Sequence, residues 1–277
     1  MAAECAVAFF DVDGTLVWHD YAKLEAEEHE AVSSLTELRP TPAVYEAFAS
    51  MRAAGHRTFI CTGRHLPFIS QTIRDLNPDG FVAGAGAYVC VGDHVIRDEC
   101  IDHDLLIETA RRLERAGIDT IFEGDKDNIE LNPTGSPARF TNSHLARSAV
   151  ELARLAEGRR YCKLCTKGFY EQDFAPVRAF LDTYYTTCDL QGGTFEFSPR
   201  GVDKGTGIEA ALAYLGHGKR DTYAFGDSEN DLSMVGSVET FVAMGNALPG
   251  VKECADYVTL TAAEEGVPVA LEHFGLI

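Results

Sequence analysis

Three short apolar runs punctuate the chain: Ala6 to Phe10, Thr58 to Cys61 and Thr222 to Phe225. Each reads as a strand buried on both faces, and each leads directly into a cluster of polar residues and glycine. Elsewhere the apolar positions recur at helical spacing. Thr41-Pro42 supplies an N-cap followed by proline at the first helical position, and Gly55 closes that helix. The strand-like HRTFIC follows, and then a helix predicted to run to about Leu76, before Asn77-Pro78. Upstream, Ala22 to Leu38 reads as a Glu-rich helix whose LEAEEHE stretch is a solvated face. Beyond Pro199-Arg200-Gly201, a return hinge, helix and strand alternate to the last residue, as a parallel sheet requires.

The middle of the chain has a different rhythm. Ala87 to Val91 and His94 to Arg97 flank Gly92-Asp93, a hairpin with a tight turn. Residues 103–116 and 142–156 are helical by period, the second placing Leu145, Ala149, Leu152 and Ala156 on one face. Asp119 to Glu123 and Tyr161 to Thr166 read as strands paired with these helices. A helix at about 174–184 precedes two short strands near 186–190 and 194–198. The stretch from Glu123 to Phe140, with its Gly, Pro and Asn, reads as a long functional loop. The predicted fold is therefore α/β: a doubly wound, parallel-sheet, Rossmann-like core of residues 1–84 and 200–277. An α+β domain of residues 85–199 is inserted into it.

Composition narrows the function. The chain has 277 residues, an ordinary globular share of apolar residues, and a formal net charge of −19. That charge argues against a nucleic-acid partner, which needs clustered Lys and Arg. No apolar run approaches the roughly 20 residues that span a bilayer. MAAECAVAFF lacks a basic region and runs straight into the first strand, so it reads as core and not as a secretion signal. The eight cysteines, several inside apolar runs (Cys5, Cys61, Cys90), read as reduced thiols of a cytoplasmic protein. Cys162-Lys-Leu-Cys165 has no second CxxC or His pair to complete a zinc set, and strand alternation puts its sulfurs on opposite faces.

Four segments carry chemistry: DVDGTL (Asp11 to Leu16), TGR (Thr62 to Arg64), Lys204 in VDKG, and GDSENDLSM (Gly226 to Met234). Three of them follow the buried strands. Parallel strands of a doubly wound sheet gather ligands at their carboxyl ends, so these side chains are expected in one crevice. Asp203 can cap the helix that starts at Lys204, holding that lysine at a helix N-terminus. Asp13, two residues beyond Asp11, points the same way in an extended segment. His19, His65 and His144 have no partner spacing that suggests chemistry.

In this order and context the four segments resemble the haloacid dehalogenase-like superfamily of phosphotransferases. More narrowly they resemble its Cof-type sugar-phosphatase branch, which carries a large cap between the second and third motifs. The resemblance implies Asp11 as nucleophile, forming an aspartyl-phosphate, and Asp13 as general acid and then base. It implies Mg²⁺ held by Asp11, the backbone carbonyl of Asp13 and Asp227, with Asp231 binding it directly or through water. Thr62, Gly63, Lys204 and Asn230 are the expected contacts to the substrate phosphate, and Asn230 is also a candidate to orient Lys204. Arg64, at the crevice mouth, reads either as a substrate contact or as a surface residue. The cap is expected to close over a small phosphorylated metabolite and select its leaving group.

The second Asp of DVD sets this chain apart from the transport ATPases and dehalogenases of the superfamily, and favours phosphatases and phosphomutases. Two positions depart from the family's usual pattern: Ala85 replaces the common Asn of Asn-Gly-Ala, and Ser228 stands where Gly is frequent. Two alternatives to a phosphatase stay open at this stage. A phosphomutase would need cap cations for a second phosphate, with Arg139, Lys163 and Lys167 as candidates. A non-catalytic binding protein would not need Asp11 beside Asp13.

Overall fold

A computed structural model describes residues 5–18, 38–137 and 143–277. The Glu-rich segment after the first motif, together with His19 and Arg139, lies outside the described residues. The strands in chain order are β1 (Val7–Phe10), β2 (Arg57–Cys61), β3 (Gly80–Ala83), β4 (Tyr88–Val91), β5 (His94–Asp98), β6 (Thr120–Gly124) and β7 (Asn128–Leu131). They continue as β8 (Ser143–Ala146), β9 (Tyr161–Lys167), β10 (Tyr185–Asp189), β11 (Thr194–Pro199), β12 (Thr222–Gly226), β13 (Thr240–Ala243) and β14 (Tyr257–Val258).

These strands form two sheets in two compact units: Met1–Asp98 with Asp203–Ile277, and Glu99–Val202. The first unit holds an eight-stranded sheet in the order β14-β13-β12-β1-β2-β3-β4-β5. Its first six strands run parallel, and β4 and β5 add an antiparallel edge. β1 lies between β2 and β12, so the chain's winding reverses at the β1/β12 boundary. That reversal is the topological switch point at which doubly wound sheets bind ligands. Val7 to Phe10 and Phe59 to Cys61 are completely buried, which is why these strands read as unbroken apolar runs. Phe9 stacks on Phe59 and Phe10 on Phe225, so β1 is joined to β2 on one face of the sheet and to β12 on the other.

The second unit has its own hydrophobic core and a six-stranded sheet in the order β10-β11-β9-β6-β7-β8. The helices His103–Ala116, Ala149–Leu155 and Arg178–Tyr184 supply Leu106, Ala110, Leu113, Leu152 and Leu181 to that core.

Local expectations and structure part company in four places. The hairpin of β4 and β5 belongs to the first unit: Val82 pairs with Val89 and Phe81 with Cys90, so the insert begins near Glu99 and not at residue 85. The helix expected to reach Leu76 is broken into a 3₁₀ turn at Leu66–Phe68 and one turn at Gln71–Arg74, with Ile69 and Ser70 in extended conformation between them. Residues 143–146 are strand β8, paired parallel to β7, and Ser148 caps the helix only from Ala149; Leu145 is therefore exposed. The expected long loop after Glu123 contains β7, an antiparallel neighbour of β6. The last two misreadings share a cause: short runs take their strand character from a partner that lies elsewhere in the chain. Among the described residues no helix is long and apolar enough to cross a membrane.

Ala85, where the family commonly has Asn, adopts the left-handed conformation (φ 53°, ψ 39°) while buried. Asn is several-fold enriched in that region relative to most non-glycine residues. Alanine pays about 1–2 kcal/mol in that region. Glycine would relieve this but lose roughly 0.5–1 kcal/mol through its freer unfolded chain. Ala85→Gly is therefore expected to stabilise the protein by roughly 0.5–1 kcal/mol. A thermal midpoint at or below that of the wild type would show that the strain is relieved by other means.

Candidate active site

Asp11 is the first residue beyond β1, and its N–H donates to the Phe225 carbonyl of β12 at 3.0 Å. The backbone then turns tightly: the N–H groups of Leu16 and Val17 both donate to the carbonyl of Val12. Gly14 takes φ +86° in this turn, and a Cβ there would collide with the carboxylate of Asp227. The turn can thus lie directly against Asp227, the first residue beyond β12. Thr15 exploits that closeness, its hydroxyl donating to Asp227 Oδ1 at 3.2 Å.

Beyond β12 the chain enters a 3₁₀ turn, Glu229–Met234, capped by Ser228. Asp231 Oδ2 accepts from the N–H of Asp227 at 2.8 Å and of Ser228 at 2.9 Å, and its Cγ packs where Gly226 has no side chain. Its other oxygen faces Lys204. That lysine opens the helix Lys204–Leu215, capped by Asp203, whose side chain accepts from Thr206 N–H at 2.7 Å. Lys204 Nζ lies 2.6 Å from Asp11 Oδ1 and 2.6 Å from Asp231 Oδ1. All three of these side chains are buried.

Thr62 follows β2 and is buried; its hydroxyl oxygen accepts from Arg64 N–H at 3.1 Å, and its carbonyl accepts from Ala85 N–H at 3.0 Å. Gly63 sits within this turn. Arg64 forks onto Asp13, Nε to Oδ2 at 2.9 Å and a terminal nitrogen to Oδ1 at 2.5 Å. This bidentate grip fixes the plane of the Asp13 carboxylate. Arg64 was expected at the crevice mouth as a substrate contact or a surface residue, and the structure ties it to Asp13, a connection neither motif reveals when read alone.

Asn230 does not reach Lys204 as one expectation had it. Its Oδ1 instead accepts from the Ser228 hydroxyl at 2.9 Å, bracing the turn around Asp231. Thr15 is the residue that motif reading passed over. Its place inside DVDGTL, one residue after the turn glycine, was the available signal. His144, expected to be solvated or structural, is half-exposed with Nε2 3.3 Å from Asp127. Cys162 and Cys165 are buried free thiols whose pKa values burial pushes up, which leaves them unreactive.

Charge is crowded here. Asp11, Asp227 and Asp231 each present an oxygen within 4.8 Å of the others. Three carboxylates against the single ammonium of Lys204 leave a formal charge of −2 in a buried space. Burial, partly offset by Lys204 and reinforced by Asp231 and Asp13, pushes the Asp11 pKa up to about 7. Burial followed by the charges of Asp11 and Asp231 pushes Asp227 up to about 9. Hard oxygen donors that converge with too little positive charge fit a hard divalent cation. Asp11 and Asp227 would hold it. Asp231, already accepting from two backbone N–H groups and Lys204, is better placed to hold one of its waters.

A family model described as haloacid dehalogenase-like hydrolase matches residues 8–271. "Putative phosphatase M6_Spy0533" of Streptococcus pyogenes serotype M6 is 37% identical over 280 residues, covering 96% of this chain and 97% of the relative. "Putative phosphatase YkrA" of Bacillus subtilis is 27% identical over 271 residues, covering 97% of each. Among solved structures, one described as the HAD subclass IIB sugar phosphatase BT4131 superposes with a TM-score of 0.77 at 26% identity, covering 98% of this chain and 100% of the other.

The raised carboxylates have a consequence for stability. Between about pH 4 and pH 9 the cation-free folded protein retains protons that the unfolded chain releases, so these groups lower its stability as pH rises through that window. A divalent cation takes the place of those protons. The gain in melting temperature on replacing chelator with Mg²⁺ should be larger at about pH 9 than at about pH 6. Asp227→Asn should abolish that difference. Equal gains at both pH values in the wild type would contradict the assignment.

Proposed function

The chain belongs to the haloacid dehalogenase-like hydrolase family, and on that premise we propose that it is a Mg²⁺-dependent phosphatase of a small phosphomonoester, acting through an aspartyl-phosphate on Asp11. The observation that carries this reading is the meeting of Asp11, Asp227, Asp231 and Lys204 at the carboxyl ends of β1 and β12. A carboxylate repels a phosphate dianion, so an attacking Asp11 needs positive charge beside it that also meets the phosphoryl oxygens. Lys204 supplies one such charge from the protein itself. A bound divalent cation would supply the other, drawing charge from the phosphoryl oxygens.

In the first displacement an Asp11 oxygen bonds to phosphorus and the phosphorus–oxygen ester bond breaks. Asp13, which must bind a proton and give up one of its two Arg64 contacts to act as acid, protonates the departing oxygen. In the second, Asp13 takes a proton from water, the water oxygen attacks phosphorus, and Asp11 leaves as carboxylate with inorganic phosphate. Arg64 serves by orienting Asp13. The Gly63 N–H, in the turn beyond Thr62, is the backbone candidate for holding a nonbridging oxygen, since the Arg64 N–H is bonded to Thr62 Oγ1. A sugar phosphate or phosphorylated cofactor suits this reading, and the likeness to a structure described as a sugar phosphatase supports the former.

One observation weighs against the mutase alternative. Lys163, one of the cations a second phosphate would require, is buried in β9 with Nζ 2.5 Å from Glu196 and 3.3 Å from Glu123. Its charge is already committed to two carboxylates.

Phosphate release from a panel of sugar phosphates and phosphorylated cofactors should require Mg²⁺ and vanish in Asp11→Asn. That variant takes one of the two carboxylates from buried Lys204, so it should melt below the wild type while keeping its fold by circular dichroism. Sustained phosphate release by Asp11→Asn would exclude the covalent route. Conversion of a hexose 1-phosphate to its isomer without free sugar would restore the mutase.

A further inference from the structure

We propose that Asn246 is a positioning residue of the phosphoryl-transfer site, acting through the backbone of Gly14. This rests on the reading of Asp227 as a cation-holding carboxylate beside Asp11. The side chain of Asn246 joins two segments distant in sequence. Its Nδ2 donates to the Gly14 carbonyl at 2.8 Å, and its Oδ1 accepts from Ala262 N–H at 2.9 Å. The amide can sit only this way round, since a carbonyl oxygen accepts and a backbone N–H donates.

The Gly14 carbonyl belongs to the rigid peptide plane it shares with Thr15. Gripping that oxygen sets the plane on which Thr15 depends to aim its hydroxyl at Asp227 Oδ1. It also anchors the residue that immediately follows Asp13. Gly14, at φ +86° and without a side chain to pack, is held on its N–H side by Val17 O at 2.9 Å and on its carbonyl side by the Asn246 amide.

Asn246 is itself fixed to the other side of the site. Met244 N–H donates to Gly226 O at 3.0 Å and Leu248 N–H to Asp227 O at 2.9 Å, so its segment is tied to the residues that end β12. Gly245 N–H donates to Leu260 O at 2.9 Å, and a side chain at Gly245 would strike the Leu260–Thr261 backbone. The close seating of this segment therefore carries the Asn246 amide to Gly14. Its side chain grips the turn after β1 while the backbone of its segment is bonded to Gly226 and Asp227, so Asn246 couples the two loops that carry Asp11, Asp13 and Asp227.

Asn246→Asp separates this role from a structural one. The aspartate still accepts from Ala262 N–H but sets an oxygen against the Gly14 carbonyl. Its kcat should fall roughly ten- to a hundredfold, with KM within about twofold of wild type and the fold retained by circular dichroism. Thr15→Val should also lower kcat, and the double variant should be no worse than the poorer single variant by more than about twofold, because both act through one turn. Independently of turnover, the Mg²⁺ concentration giving half the maximal thermal shift should rise at least about threefold in Asn246→Asp. Wild-type kcat with an unchanged Mg²⁺ midpoint in Asn246→Asp overturns the proposal, as do losses that multiply fully in the double variant. If the wild type released no phosphate from any substrate, the phosphatase reading would fall, and the Mg²⁺ midpoint would still decide the role of Asn246.

Discussion

Lys204 holds an ammonium in a position that would expel it without its partners. It is almost fully buried, and it opens a helix whose dipole is positive at that end. Burial alone would lower its pKa; the adjacent Asp11 and Asp231 reverse this and hold it well above the usual lysine value. Breaking a buried pair of this kind typically costs about 3–5 kcal/mol. The dependence runs both ways, since Asp11 and Asp231 need Lys204 as much as it needs them. The central strand, the turn after β12 and the start of the lysine helix are thereby locked together by two hydrogen bonds of 2.6 Å.

That lock leaves the site deliberately short of positive charge. Asp227 stands outside the Lys204 pairing, and its neighbours and burial both resist its ionisation. A cluster that is overcrowded with carboxylates when empty is primed for a cation and for the phosphoryl oxygens that the cation brings. The backbone supports this crowding at two close approaches, Gly14 against Asp227 and Gly226 against Asp231, where any side chain would push the loops apart. Hydrogen bonds from Thr15, Ser228 and Asn246 then hold the loops at the spacing that the glycines permit.

The insert follows a different electrostatic logic. Lys163 is neutralised by Glu123 and Glu196 on adjacent strands of its sheet, in register set by Glu123 opposite Lys163. Neighbouring strands meet there because Phe122, Leu164 and Phe197 turn to the opposite, apolar face. A cation that reads in sequence as a ligand clamp is thus a structural element of the sheet.

What could be read from the chain itself was whatever depends on adjacent residues. The buried strands β1, β2 and β12, the DVDGTL and GDSENDLSM segments that follow them, and the capped start of the helix at Lys204 are local patterns. The order of those segments in an alternating chain was enough to expect the doubly wound core and the meeting of Asp11, Asp227 and Lys204. Pairings between distant residues were out of reach. Arg64 on Asp13, Lys163 between two glutamates, β8 beside β7, the hairpin of β4 and β5 on the core sheet, and Asn246 on Gly14 each need a partner supplied by the folded chain. A side chain's type limits the bonds it can form, but only the tertiary structure brings a particular donor within 3 Å of a particular acceptor.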